Sequence, residues 1–166
     1  VKELEGIKIV YTSQLYHLEL NVAGRLRELD GKYTIDEAEF IKNMAMIEKN
    51  ENISLDDMQR RSVKEAMENG ILVITGGPGT GKTTTINTII KYFELEGLEI
   101  MLAAPTGRAA KRMKEATGYE AQTIHRMLEI NGGGADDTMS NANAHFERNE
   151  QNPLETDVVI IDEMSM

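Results

Sequence analysis

Apolar and polar positions alternate with two different periods along this chain. Leu15, Leu18, Val22, Leu26 and Leu29 recur at spacings of three and four, which predicts a helix over 12–30 that Gly31 ends. Thr34 followed by Glu37 is a capping-box pattern, and Ile35, Ala38, Ile41, Met44 and Ala45 carry a second helical stripe as far as Asn50 and Asn52. Ser54 with Asp57 opens a third helix that stops at Asn69-Gly70, so the first 70 residues read as all-helical. Beyond them the period changes. Ile71–Thr75 is a short β-branched run that enters a tight glycine loop, the pattern of a buried strand. Ile86, Ile89, Ile90 and Phe93 mark a helix ending at Gly97, and a second strand spans about Glu99–Ala104 and stops at Pro105. Thr106 caps a helix to about Thr117 with Gly118 as its stop, and Thr123 caps a shorter one through Ile130. Residues 131–153 have no sustained period and read as a long loop or weak hairpin. Val158–Ile161 is a third apolar run. Strand, helix, strand, helix, strand in this order predicts an α/β fold: a parallel sheet with flanking helices, preceded by a small helical segment.

The loop between the first strand and its helix carries the clearest chemistry. Gly76-Gly77-Pro78-Gly79-Thr80-Gly81-Lys82-Thr83 satisfies G-x-x-x-x-G-K-[ST]. Glycines let backbone N–H groups turn inward around phosphate oxygens, at the positive end of the following helix. Lys82 supplies a compact charge to the β- and γ-phosphates, and the Thr83 hydroxyl can ligate Mg²⁺, with Thr84 beside it. ATP and Mg²⁺ are the cofactors this implies. Val158–Ile161 then delivers Asp162-Glu163 at the end of an apolar strand, which in a doubly wound sheet lies beside the phosphate loop. Asp162 is placed to hold Mg²⁺, and Glu163 to orient or deprotonate the attacking water.

A third feature is Gln59. The apolar residues of its helix, Leu55, Met58, Val63, Ala66 and Met67, point at a mean angle of about 30°, and Gln59 points at about 40°. An amide in a buried stripe needs partners, since leaving one unsatisfied costs about 1–3 kcal/mol. It can bond a nearby backbone group, or it can offer one donor and one acceptor to the N7 and N6 edge of adenine.

Composition narrows the class. The 166 residues include no cysteine, which excludes disulfides, a thiolate metal site and a cysteine nucleophile. The apolar runs are far below the roughly 18 residues of a membrane span, and a cytosolic protein is the default. The ten methionines, among them Met44, Met46, Met58 and Met67, read as core fillers. A formal net charge of −10 speaks against coating nucleic acid by bulk charge. The charge is uneven, however. Residues 104–130 carry 5 basic and 3 acidic groups, whereas 1–58 carry 7 and 12, and 131–166 carry 1 and 8. The positive segment holds Arg108, Lys111, Arg112, Lys114 and Arg126, and suits either a solvated helix face or an anion-binding surface.

In combination, LDDMQRRSV (55–63), TGGPGTGKTTT (75–85), APTGRAAKRM (104–113), TIHRML (123–128) and NPLETDVVIIDEMSM (152–166) resemble the first motor domain of a superfamily 1 DNA helicase of the RecD-like group. The stretch LYHLELNVAGRLREL (15–29) is similar to the helical segment that precedes the motor there. The resemblance implies a P-loop (RecA-like) fold, divided into a helical segment over 1–54 and a truncated motor domain over 55–166. It implies that Gln59 reads adenine, that Gly76 to Thr83 are motif I, and that Asp162 and Glu163 are motif II. It matches Thr106, Gly107 and Arg108 to a segment that contacts the single-strand backbone, and Thr123 and His125 to a further DNA-side motif. For His125, local packing at a helix cap stands beside the DNA contact. Met164 departs from the small residue common there, and the later helicase motifs do not follow.

The expectation is therefore a piece of an ATP-dependent DNA helicase, with 5′→3′ movement on single-stranded DNA implied by resemblance. Its partners would be single strands, duplex junctions and proteins of recombination or repair. By itself the piece is expected to bind nucleotide and turn it over weakly or not at all. The alternatives are a P-loop ATPase or switch acting on protein, and a non-catalytic nucleotide-binding module.

Overall fold

The computed structural model describes residues 2–4, 6–10, 12–77, 79–131 and 145–165. It opens on a hairpin, β1 (Lys2–Leu4) antiparallel to β2 (Ile7–Ile9), where the sequence pattern predicted no strand. Strands of three residues are too short to show an alternating period. Helix α1 (Ser13–Leu29) is capped by Thr12, whose side chain accepts from the Leu15 amide. None of its residues is buried, and the predicted stripe of Leu15, Leu18, Val22, Leu26 and Leu29 lies open to solvent. The Arg25 guanidinium ties α1 to Glu150 at 3.2 Å.

Helices α2 (Glu37–Glu51) and α3 (Asp57–Glu68) start two residues later than their expected caps. Asp36, not Thr34, caps α2 by accepting from the amides of Ala38 and Glu39. Asp56, not Ser54, caps α3, accepting from the Gln59 amide while the Gln59 side chain accepts from the Asp56 amide. A carboxylate here satisfies one or two first-turn amides and also meets the helix's positive end with a negative charge. Between the two helices Asn52 takes the left-handed conformation at φ 52° and closes α2.

The expected strand over 71–75 forms no ladder, since among the described residues no strand pairs with it. Instead Leu72 and Ile74 face Val158–Ile161 across a cleft of about 870 Å³ floored by Ile86, Ile89 and Phe93. The segment is stitched at its start: the Gly70 amide donates to the Gly31 carbonyl at 2.8 Å, and the Tyr33 amide to Glu68 at 2.9 Å. Gly70 lies so close to the Leu29 carbonyl oxygen that a Cβ there would overlap it.

Helix α4 (Lys82–Leu95) follows the glycine loop, and β3 (Ile100–Ala104), α5 (Gly107–Thr117), β4 (Ala121–Thr123), α6 (Ile124–Met127) and β7 (Val158–Ile161) build the sheet layer. The sheet is parallel with order β4-β3-β7, pairing Ala104 with Thr123 and Ala103 with Ile161. Between α6 and β7, β5 (Ile130–Asn131) pairs antiparallel with β6 (His145–Phe146), so the weak-hairpin alternative holds at its base. Thr106 and Gly118 cap α5 as expected, with Gly118 at φ 77°.

The core has α4 at its centre. Ile89, Tyr92 and Phe93 meet Phe40, Met44 and Ile47 of α2 and Val63 of α3, while Ile90 meets Leu102 of β3 and Met113 of α5. Val158 and Ile160 pack inward, whereas Val159 and Ile161 on the other face of β7 are exposed. Met44, Met113 and Met127 are core residues, but Met46 and Met58 are exposed and fill nothing. At the rim, the Lys91 ammonium donates to the Tyr119 hydroxyl, which donates to Glu94, both at 2.6 Å. Burial, then the Glu94 bond, pushes the Tyr119 phenol up.

Ile90 is fully buried between sheet and helices. Ile90→Ala should lower unfolding free energy by about 2–5 kcal/mol at unchanged denaturant slope, measured by urea unfolding.

Candidate functional site

The glycine loop takes its shape from residues that only glycine suits. Gly79 and Gly81 sit at φ 75° and 76°, in the left-handed region, and a Cβ on Gly76 would come within 2.7 Å of the Thr80 hydroxyl. The Thr80 hydroxyl donates back to the Gly77 carbonyl at 3.0 Å. Pro78 lies outside the described residues. Gly81 is the N-cap of α4 and has no side chain to occupy the free amides of the first turn, which leaves them to an anion. Lys82 folds its ammonium back over the loop, donating to the carbonyls of Gly76 at 2.6 Å and Gly77 at 2.7 Å. Thr83 is exposed at the helix start, and Thr84 is half-buried behind it. This is a cradle of the kind that holds phosphates: tight glycines, an open helix N-terminus and one ammonium.

Across the cleft, β7 ends on Asp162 and Glu163. The Asp162 amide extends the ladder by one bond, to the Ala103 carbonyl at 3.1 Å. Glu163 adopts φ 60°, uncommon for a side chain of its size, and its amide donates to the Asp162 carboxylate at 2.8 Å. One carboxylate oxygen of Asp162 is thereby held by the backbone and the other is left open. Lys82 and Asp162 line the same cleft. Among the described residues no three His, Cys, Asp or Glu side chains gather as metal ligands. A divalent ion here would draw on Asp162 and Thr83 and take its remaining oxygens from water and phosphate, the habit of Mg²⁺.

Gln59 satisfies the local-bond reading and touches the loop as well. Its Oε1 accepts from the Asp56 amide at 3.0 Å. Its Nε2 lies so close over Gly81 that a Cβ there would overlap it. The Asp56-x-x-Gln59 spacing is itself a capping-box signature, so this bond was available from the sequence. The side chain is half-buried rather than central to a covered stripe.

The loops that open the helices of the basic segment lie at the same end of the sheet. Thr106 follows β3 and caps α5 by accepting from the Ala109 amide at 3.2 Å, and Thr123 ends β4 and caps α6 by accepting from Arg126 at 3.2 Å. Because β3, β4 and β7 are parallel and in register, Thr106, Thr123 and Asp162 all stand at the carboxyl end of one sheet. Each threonine hydroxyl spends a lone pair on its cap and retains its proton to donate. Gly107 and Arg108 are exposed on the first turn of α5. His125 is exposed, with its ring 6.4 Å from that of Phe146 in the β5–β6 hairpin, so both of its expected surroundings are open to it.

This arrangement of glycine loop, strand-end carboxylates and parallel sheet defines an incomplete P-loop NTPase-type domain. The AAA domain family matches residues 59–166, and the chain belongs to that family. It is 38% identical over 112 residues to the ATP-dependent RecD2 DNA helicase of Deinococcus radiodurans, covering 68% of this chain and 14% of the relative. It is 30% identical over 179 residues to the RecBCD enzyme subunit RecD of Buchnera aphidicola subsp. Acyrthosiphon pisum, covering 96% of this chain and 28% of that subunit. It is also 38% identical over 108 residues to the ATP-dependent DNA helicase dda of Enterobacteria phage T4, covering 64% of this chain and 23% of the phage protein. The RecD-like resemblance read from the motifs thus extends over most of the chain, and the chain spans 14% to 28% of these relatives' lengths.

Gly81→Ala would push the Gln59 amide aside and place a Cβ at a left-handed position, costing about 1–2 kcal/mol. A lowered thermal unfolding midpoint is expected, partly restored when Gln59→Ala is added.

Proposed function

We propose that this chain is the nucleotide-binding part of a DNA helicase motor, which couples Mg-ATP hydrolysis to movement along single-stranded DNA. The observation that carries the reading is that Lys82, at the end of the glycine loop, and Asp162, just past the carboxyl end of β7, line one cleft. A bound Mg-ATP would supply the phosphoanhydride whose hydrolysis releases the energy for movement. Lys82, now held by two loop carbonyls, would turn its ammonium to the β- and γ-phosphates, and Gly76, Gly77, Gly79, Thr80 and Gly81 would present the backbone. Thr83 and Asp162 would hold the metal, and Glu163 would accept a proton from the attacking water. Gln59 would meet the base.

Arg108, with Thr106, Gly107, Thr123 and His125, would contact the strand's phosphates from the neighbouring loop ends. Two features support DNA rather than a protein substrate: the basic surplus falls in the segment that shares this edge, and three similar proteins bear the names of DNA helicases or of a RecBCD subunit. The direction 5′→3′ rests on resemblance to the RecD-like group. Proteins of recombination or repair are the corresponding partners.

In the full-length protein, Lys82→Ala and Glu163→Gln should each lower DNA-stimulated ATPase by about 10²–10⁴-fold, read in a coupled phosphate-release assay. Full turnover in either would refute the assignment. Arg108→Ala should weaken single-strand binding and reduce the slope of log affinity against log salt by about 0.7, measured by fluorescence anisotropy across a salt series. An unchanged slope would remove Arg108 from the DNA surface.

A further inference from the structure

The chain entering α3 is gripped from both sides by residues that lie outside the glycine loop and the strand-end carboxylates. Glu48, near the end of α2, is mostly buried, its side chain 13% exposed. Its carboxylate accepts from the Leu55 amide at 2.7 Å and pairs with the Arg60 guanidinium at 2.7 Å. Arg60 in turn donates its Nε to the Leu55 carbonyl at 3.3 Å. Both backbone groups of Leu55 are therefore held by one ion pair, and the Leu55 side chain is buried in the core behind it. The next residue, Asp56, forms the reciprocal cap with Gln59, whose amide reaches Gly81.

This sequence of bonds fixes the orientation of one amide. The Gln59 Oε1 must face the Asp56 N–H, since the flipped amide would set two donors against each other. Nε2 is thereby directed toward the loop. Oε1 keeps a second lone pair, so donor and acceptor are presented in a set order. A purine edge that pairs an acceptor with an amino group, as adenine does at N7 and N6, matches that order, while guanine, with N7 and O6 both acceptors, does not.

We propose that Glu48 and Arg60 are positioning residues of the nucleotide site. By fixing Leu55 and the Asp56 cap, they hold the Gln59 amide in the place and order that discriminate adenine from guanine. The proposal rests on the nucleotide-binding reading above. It adds a dependence of base selectivity on an ion pair between two helices, which the glycine-loop chemistry does not require.

The test is equilibrium binding of Mg-ATP, Mg-GTP and inorganic triphosphate to the full-length protein, comparing wild type, Glu48→Gln, Gln59→Ala and the double variant. Glu48→Gln keeps the shape and an acceptor for Leu55 while removing the charge that holds Arg60. The expected result is an ATP affinity lowered about tenfold, a preference for ATP over GTP that shrinks in parallel, and an unchanged affinity for triphosphate. In the Gln59→Ala background Glu48→Gln should add no further loss. Equal losses for all three ligands would mean a general structural role and overturn the proposal, as would a Glu48→Gln effect that persists undiminished without Gln59. Arg60→Gln, at a side chain 45% exposed, provides the same comparison should Glu48→Gln not fold. A wild-type protein that binds none of the three ligands would defeat the nucleotide-site reading itself. Wild-type selectivity for ATP that Glu48→Gln leaves intact would defeat the clamp alone.

Discussion

The burial of α4 is the constraint on which the nucleotide side of the molecule depends. Ile89, Ile90, Tyr92 and Phe93 are buried on this one helix, each worth about 1.5–3 kcal/mol relative to exposure. They lock the helix between the sheet on one side and α2 with α3 on the other. Its two buried threonine hydroxyls donate to backbone carbonyls one turn back, Thr85 to Gly81 and Thr88 to Thr84. A helix held this firmly sets the direction of its own N-terminus, and with it the place of Gly81, Lys82 and Thr83. Position at the phosphate end is thus determined by packing that begins one turn further along.

The carboxylate side is set differently. Asp162 is where it is because β7 pairs with β3 as far as Ile161, and the ladder continues by one amide bond to Ala103. Register, not packing, fixes it, and the outer face of β7 is open. The same register carries Thr123 beside Ala104, so one set of parallel pairings aligns the Asp162 carboxylate and the loop ends of the basic segment. Of the basic residues in 104–130, Arg108 and Arg126 stand near these loop ends, whereas Lys111 and Lys114 lie along α5 and pair with Glu115 and Glu120.

Much of this was legible in the residues. The periodicity of α4, the caps Thr106 and Thr123, the Gly118 stop and the apolar run before Asp162 are local signals, and each is set by interactions within about four residues. What the sequence hid depends on distant partners. Ile71–Thr75 has strand composition, yet a strand needs another beside it, and among the described residues none pairs with it. Gln59 is half-buried rather than at the centre of a covered stripe, and its first bond is to its own helix cap, a competition that the apolar stripe does not reveal. Asp36 and Asp56, rather than the hydroxyls of Thr34 and Ser54, hold the first-turn amides, and their negative charge suits the positive end of a helix. The exposure of α1 could not be read from a stripe that looks the same whether or not something covers it.

The unpaired run from Ile71 to Gly77 has a mechanical consequence. It is fastened at one end, where Gly70 is wedged against the Leu29 carbonyl and bonded to Gly31, and it passes into the loop that α4 anchors at the other. Lacking ladder bonds along its length, it behaves as a strap rather than as part of a plate. A pull on the phosphate cradle is passed lengthwise to the α1–α2 connection, without first having to shear the sheet that carries Asp162. Among the described residues, the glycine loop and the strand that leads to Asp162 are therefore joined by side-chain packing rather than by a shared ladder.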